Sequence, residues 1–181
     1  MKAFDYFPRY FETIFQRIKS IDSAELEQAA KMVSVAHQKG KKIVIVGNGG
    51  SAAMASHVTV DFTKAAGIRA INFNEADLIT CFANDYGYEQ WVAKALEAYA
   101  DKGDLAILIS SSGKSQNIIN ATEKATEIGL STITLSGFFK DNPLNKSGDL
   151  NLWVDSCEYN VIEMTHHIWL LAIVDYLIEN K

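Results

Sequence analysis

Ile43-Val44-Ile45-Val46-Gly47-Asn48-Gly49-Gly50-Ser51-Ala52 is the stretch that decides the fold. Its first four residues are wholly apolar, the pattern of a short strand buried on both faces of a parallel sheet. Glycines directly behind a strand let the chain turn sharply into a helix, whose free N–H groups then converge on an anion. The same unit recurs at Leu105-Ala106-Ile107-Leu108-Ile109, followed by Ser110-Ser111-Ser112-Gly113-Lys114-Ser115 and a helix from about Gln116 to Ile128. Ser131 to Leu135 and Leu150 to Val154 read as further strands, and Arg69 to Phe73 as a weaker one. Strands alternating with helices predict an α/β protein with a parallel sheet covered on both faces.

Working outward, two helices precede the first strand. Phe7, Tyr10, Phe11, Ile14, Phe15 and Ile18 form an aromatic stripe at helical period between about Tyr6 and Ser20. Asp22-Ser23 caps a second helix, with Leu26, Ala29, Met32, Val33 and Ala36 on one face and Gly40 ending it. Standing ahead of any strand, these helices are expected to pack on something other than their own βαβ unit, a neighbouring subunit being the natural candidate. Ala76 to Phe82 and Glu89 to Ala100 look helical, split by a turn at Asn84-Asp85-Tyr86-Gly87. The last helix, from about Asn160 to Ile178, is apolar on nearly all sides, which predicts burial all round and an oligomer interface. No linker or repeat divides the chain, so residues 1–181 read as one domain.

The bulk numbers exclude several classes. With 181 residues the chain suits a single sizeable core, and 48% hydrophobic with 22% charged residues is ordinary for a globular protein. A net charge of −5 offers nothing to nucleic-acid backbone or anionic lipid. Lys39, Lys41 and Lys42 read as a solvated strand entrance. The two cysteines, Cys81 and Cys157, lie in no CxxC or metal-type cluster and read as buried thiols of a reducing compartment. Met1-Lys2-Ala3-Phe4-Asp5 lacks the apolar stretch of a secretory leader, and no segment is expected to span a membrane. The expected location is the cytoplasm, with no direct nucleic-acid or membrane partner.

The two turns carry the chemistry. Four hydroxyls, a glycine and a cation stand at the helix start of Ser110 to Ser115, where hydroxyls, N–H groups and the helix dipole jointly suit a phosphate. Capping needs one serine rather than four. Gly113-Lys114-Ser115 ends like a nucleotide P-loop, but Leu108 stands where that motif requires glycine. Gly47 to Ala52 fits the dinucleotide fingerprint in its alanine form, with Glu75 or Asp77 as ribose acid. That alternative lacks a second half to hold a nicotinamide.

Together, Val46-Gly47-Asn48-Gly49-Gly50-Ser51-Ala52, Ala83-Asn84-Asp85-Tyr86-Gly87-Tyr88 and Ile109-Ser110-Ser111-Ser112-Gly113-Lys114-Ser115 resemble the sugar isomerase (SIS) domain, and within it the phosphoheptose isomerases that act on sedoheptulose 7-phosphate. The resemblance spans nearly the whole chain. It implies a three-layer α/β/α sandwich with a five-stranded parallel sheet, preceded by two helices, usually assembled as a homotetramer with active sites between subunits. By motif match, Ser110, Ser111, Ser112 and Ser115 hold the sugar phosphate. Asn48, Gly49 and Ser51 face the sugar, and Asp85 lines the pocket. The family commonly has asparagine at Lys114, which here either adds a charge to the phosphate site or points to solvent.

Interconverting an aldose and a ketose proceeds through an enediol, so a base and an acid must flank the sugar. The resemblance puts a histidine and a glutamate four residues later behind the glycine turn. Here these are His57 and Asp61, one helical turn apart. On the last helix the family has a glutamine and, eight residues on, a histidine, which complete the acid–base set and sometimes a zinc site. Glu163 and Leu171 stand there instead. Leucine neither ligates nor transfers a proton. Glu163, His166 and His167 form a trio that is costly to bury unpaired. It is a relocated acid–base site, a metal site with His57, or a polar patch at a subunit interface. The expected base is Glu163 or Asp61 and the expected acid His57 or His166. A zinc site would draw on His57, Asp61, His166 and His167. The contrasting expectation is a non-catalytic phosphosugar-binding regulator acting through protein partners, as in relatives that lack isomerase activity.

Overall fold

The computed structural model describes residues 3–180; Met1 and Lys2, the start of the stretch read for a leader, and Lys181 lie outside the described residues. Five strands, β1 (Ile43–Gly47), β2 (Ala70–Ile71), β3 (Leu105–Ser110), β4 (Ser131–Ser136) and β5 (Leu150–Trp153), form one sheet in the order β2-β1-β3-β4-β5. All neighbouring pairs are parallel. The helices are α1 (Ala3–Ile18), α2 (Ser23–Gln38), α3 (Gly50–Lys64), α4 (Ala76–Tyr86), α5 (Trp91–Tyr99), α6 (Gln116–Glu127) and α7 (Tyr159–Glu179).

Period-2 alternation along the buried strands divides the core into two layers. Ile43, Ile45, Leu105, Ile107 and Ile109 point to one face and meet Val33, Met54, Val58, Phe62 and Trp169 from α2, α3 and α7. Val44, Val46, Ala106 and Leu108 point to the other and meet Trp91, Leu96, Ile118 and Ala121 from α5 and α6. This is the expected α/β/α sandwich. The chain runs from β1 through α3 outward to β2, then crosses to β3 on β1's other side, so the switch in direction lies between β1 and β3. Gly47 is paired with Ile109, which sets the turns behind these two strands side by side. Ligands of open α/β sheets bind at such a point, outside the carboxyl ends of the strands.

Several expectations change. The strand read from Arg69 to Phe73 shrinks to Ala70–Ile71, because β2 is an edge that pairs with β1 alone. Helix α4 runs through Asn84, Asp85 and Tyr86, and the turn comes later, at Gly87, whose φ of +86° ends the helix. The leading helices find partners within their own chain: both pack on α7, and α2 also reaches the sheet. Helix α1 still leaves Phe7, Phe11 and Phe15 exposed at 54%, 62% and 51%. Helix α7 is not buried all round, since Met164, Ile168 and Tyr176 face outward. It is, against expectation, long and apolar enough to cross a membrane, yet Val161, Ile162, Trp169, Leu170, Ile173 and Val174 bury it against the rest of the fold. Both cysteines are exposed rather than buried. Lys42 is more than a solvated entrance: it bridges Asp101 at 2.7 Å and the buried Asp104 at 2.6 Å.

Candidate active site

The turn behind β1 takes its shape from three glycines. A side chain on Gly47 would collide with Ser51 on the first turn of α3. Gly49 caps α3 at a φ of +56°, a left-handed conformation that glycine adopts without strain. A Cβ on Gly50 would overlap the carboxylate of Glu163, which reaches over from α7. The position of the Glu163 carboxylate over this turn therefore depends on Gly50 having no side chain.

The serine turn behind β3 is held by its own bonds. The Ser110 hydroxyl donates to Ser115 Oγ at 3.0 Å and accepts from the Ser115 N–H at 3.3 Å. Ser112 Oγ accepts from the Lys114 N–H at 3.3 Å, and Ser51 and Ser111 bring their hydroxyls within 3.4 Å of each other across the two turns. Ser115 is the N-cap of α6 without a side-chain capping bond, so the first N–H groups of α6 are left for an anion.

These turns enclose a cavity of about 130 Å³ at the switch point. Asn48, Ser51, Ser110, Ser111, Ser112 and Ser115 line it, with Ile109 at its floor and Tyr159 and Glu163 of α7 forming the opposite wall. Gly49 stands beside them as the α3 cap. Asn48 is locked by a reciprocal amide pair with Asn117, at 3.0 and 2.9 Å, and by the Tyr88 hydroxyl at 3.1 Å. Asp85 is not among the lining residues: it is exposed at the end of α4 and accepts from Asn84 at 2.9 Å. Lys114 does not line the cavity either, and its ammonium lies over the Phe139 ring, 5.7 Å from the centroid.

Asn117, Tyr88 and Tyr159 were missed in the sequence. Tyr88 belongs to the quoted Asn84-Asp85-Tyr86-Gly87-Tyr88 stretch, and Asn117 follows the serine turn by two residues, but no local pattern says that both meet at Asn48.

The titratable groups fall into two sets. Glu163, partly buried, lines the cavity. His57 and Asp61 of α3 pair at 3.3 Å through His57 Nε2, and His57 Nδ1 meets His167 Nε2 of α7 at 3.0 Å. Burial, with the neighbouring His57 charge, holds the His167 pKa below its ordinary value, against an opposing pull from Asp61. His166 points the other way. It is fully buried, its Nε2 donates to the Ser136 carbonyl at 3.0 Å, and its Nδ1 has no partner among the described residues. Burial pushes its pKa down to about 4 against that bond, so the ring is neutral near pH 7. A neutral ring sealed in the core cannot reach a ligand, and the expected acid role of His166 loses its geometric basis. The zinc expectation does not fit either. His166 is turned away from His57, Asp61 and His167, and no group of three or more potential ligands converges among the described residues.

The family model that matches the chain is the SIS domain, over residues 6–137. A phosphoheptose isomerase of Fusobacterium nucleatum is 42% identical over 118 residues, spanning 62% of this chain and 61% of that protein's length. One of Aliarcobacter butzleri is 37% identical over 177 residues, spanning 94% of this chain and 92% of that protein. The solved phosphoheptose isomerase of Francisella tularensis superposes with a TM-score of 0.90 at 28% identity, covering 100% of both chains. A match over most of the chain in sequence and all of it in shape has one reading: the protein belongs to the SIS domain family, among the phosphoheptose isomerases.

Proposed function

We propose that this chain is a phosphosugar isomerase that interconverts aldose and ketose phosphates of the sedoheptulose 7-phosphate type through an enediol. The observation that carries this reading is the convergence of both strand–helix turns on one cavity with Glu163 on its wall. The four serines and the α6 N-terminus take the phosphate, whose charge suits their donors. Asn48, fixed by Asn117 and Tyr88, is preset to hold a sugar hydroxyl. Glu163 supplies the carboxylate that removes the proton on C2, and Asp61, paired with His57 on α3, is the second candidate carboxylate. No step requires an external reductant or oxidant.

One domain over residues 1–181 and a cytoplasmic location accord with a charged metabolite as substrate. The exposed Phe7, Phe11 and Phe15 stripe on α1, with Met164 and Ile168 on α7, supports assembly into the homotetramer expected from the sequence. The site assignment is tested with Glu163→Gln and Asp61→Asn in purified, folded protein. Turnover of sedoheptulose 7-phosphate is expected to fall by about 100-fold or more in Glu163→Gln. Undiminished turnover in both variants would end the assignment.

A further inference from the structure

Residues 163, 167 and 171 are each four apart, so Glu163, His167 and Leu171 share one face of α7. Helix α3 runs against that face. Its first residue, Gly50, meets Glu163, and two turns on His57 meets His167. Past Glu163, the same pair of helices forms a seam outside the cavity lining that holds Asp61, His57 and His167, with His167 one helical turn from Glu163.

Contacts along this seam favour one placement of the protons. The Asp61 carboxylate, which only accepts, lies 3.3 Å from His57 Nε2 as an ion-pair contact and favours a proton on that nitrogen. His57 Nδ1 is then an acceptor, and His167 Nε2 donates to it at 3.0 Å. Both His57 nitrogens are therefore engaged. His167 Nδ1 is left with its lone pair, makes no hydrogen bond among the described residues, and is not sealed in the core. His166, one residue earlier, is spent on the Ser136 carbonyl.

We infer that His167 is the proton-transfer histidine of this chain, held ready by the file Asp61–His57–His167, one turn along α7 from the Glu163 base. The inference rests on the isomerase reading. As Glu163 takes the proton from C2 of the aldose, the C–H electron pair forms the C1=C2 double bond. The carbonyl π pair moves to O1, and His167 Nδ1 takes the O2 proton on its lone pair and hands it to O1. In the second half the O2 pair forms the C2 carbonyl, and the C1=C2 pair takes the proton that Glu163 delivers to C1. Both groups end as they began. His57 and Asp61 are positioning residues here, since the carboxylate balances the charge that the histidine pair gains.

The test uses His167→Gln and His167→Ala in the full-length protein, with thermal melting and stabilisation by inorganic phosphate confirming an intact fold and phosphate site. Turnover of sedoheptulose 7-phosphate is expected to fall by about 100-fold or more in kcat with little change in KM. Added imidazole is expected to restore part of the turnover of His167→Ala, which a packing role would not permit. Wild-type turnover in either variant overturns the inference, and so does a loss that imidazole leaves untouched. A wild-type protein inert on sugar phosphates overturns the isomerase reading and this inference together, whereas an active wild type beside fully active variants overturns this inference alone.

Discussion

The Glu163 carboxylate lies against the Cα of Gly50, so close that a methyl group there would overlap it. Gly50 is the first residue of α3 and has no left-handed φ, so alanine fits its backbone. The overlapping atoms are the far end of a flexible side chain, which swings aside at little cost. Gly50→Ala is therefore expected to change the melting temperature by only a few degrees while lowering kcat at least about tenfold. Steady-state kinetics beside a melting curve separates the two effects.

Asn117 is buried and gives Asn48 two of its three side-chain hydrogen bonds. Asn117→Ala removes both and leaves the Asn48 amide free to turn. The expected result is a KM raised about tenfold and a stability loss of about 1–2 kcal/mol. Tyr88→Phe, which removes one bond at an exposed position, is expected to do less on both counts. Kinetics and chemical denaturation of the two variants check the order.

The serine turn makes a prediction for phosphate alone. Each hydrogen bond to a charged group contributes about 1.5–3 kcal/mol. Ser110→Ala and Ser115→Ala are each expected to weaken binding of inorganic phosphate about tenfold or more. Calorimetric titration reads the affinity directly.

His166 predicts a pH dependence of stability. Its folded pKa is about 4, below the ordinary 6.5, because it is buried. Between these values the unfolded chain binds the extra proton and the folded one does not. Stability is thus fully present above about pH 6.5 and is lost as pH falls toward 4, by about 3 kcal/mol at most for this one group. His166→Gln, which cannot titrate, is expected to flatten that part of the curve. Denaturation midpoints between pH 7 and pH 4 test it.

Much of this architecture was legible before any coordinates. Apolar runs such as Ile43 to Val46, short, β-branched and followed at once by glycine, read as strands covered on both sides, and the glycine or serine directly behind them marks the helix starts that meet at the cavity. Local signals failed where tertiary contacts decide. Asn84-Asp85-Tyr86 looks like a turn, yet it continues α4 until Gly87 stops it. Cys81 and Cys157 have the composition of buried residues, but their helix and loop face outward. Glu163, His166 and His167 presented both i+3 and i+4 partners, and sequence spacing cannot choose between them. The rotation of α7 against the sheet does, burying His166 beneath Ser136 and leaving His167 on the side of Glu163. The Asn48–Asn117 pair, 69 residues apart, has no local signature at all.

The aromatic stripe on α1 carries the assembly prediction. Phe11, at 62% exposure, stands between Phe7 and Phe15 on the same face. Phe11→Glu is expected to lower the solution mass below that of the wild-type assembly, as measured by light scattering. An unchanged mass would place the subunit contacts elsewhere.

The most direct test is incubation of the purified protein with sedoheptulose 7-phosphate in deuterated water, followed by NMR. The expected result is aldose product carrying deuterium at C2, the mark of a proton exchanged at an enediol. Absence of both conversion and exchange, despite thermal stabilisation by the sugar phosphate, would contradict an isomerase acting on this substrate and leave a phosphosugar-binding protein instead.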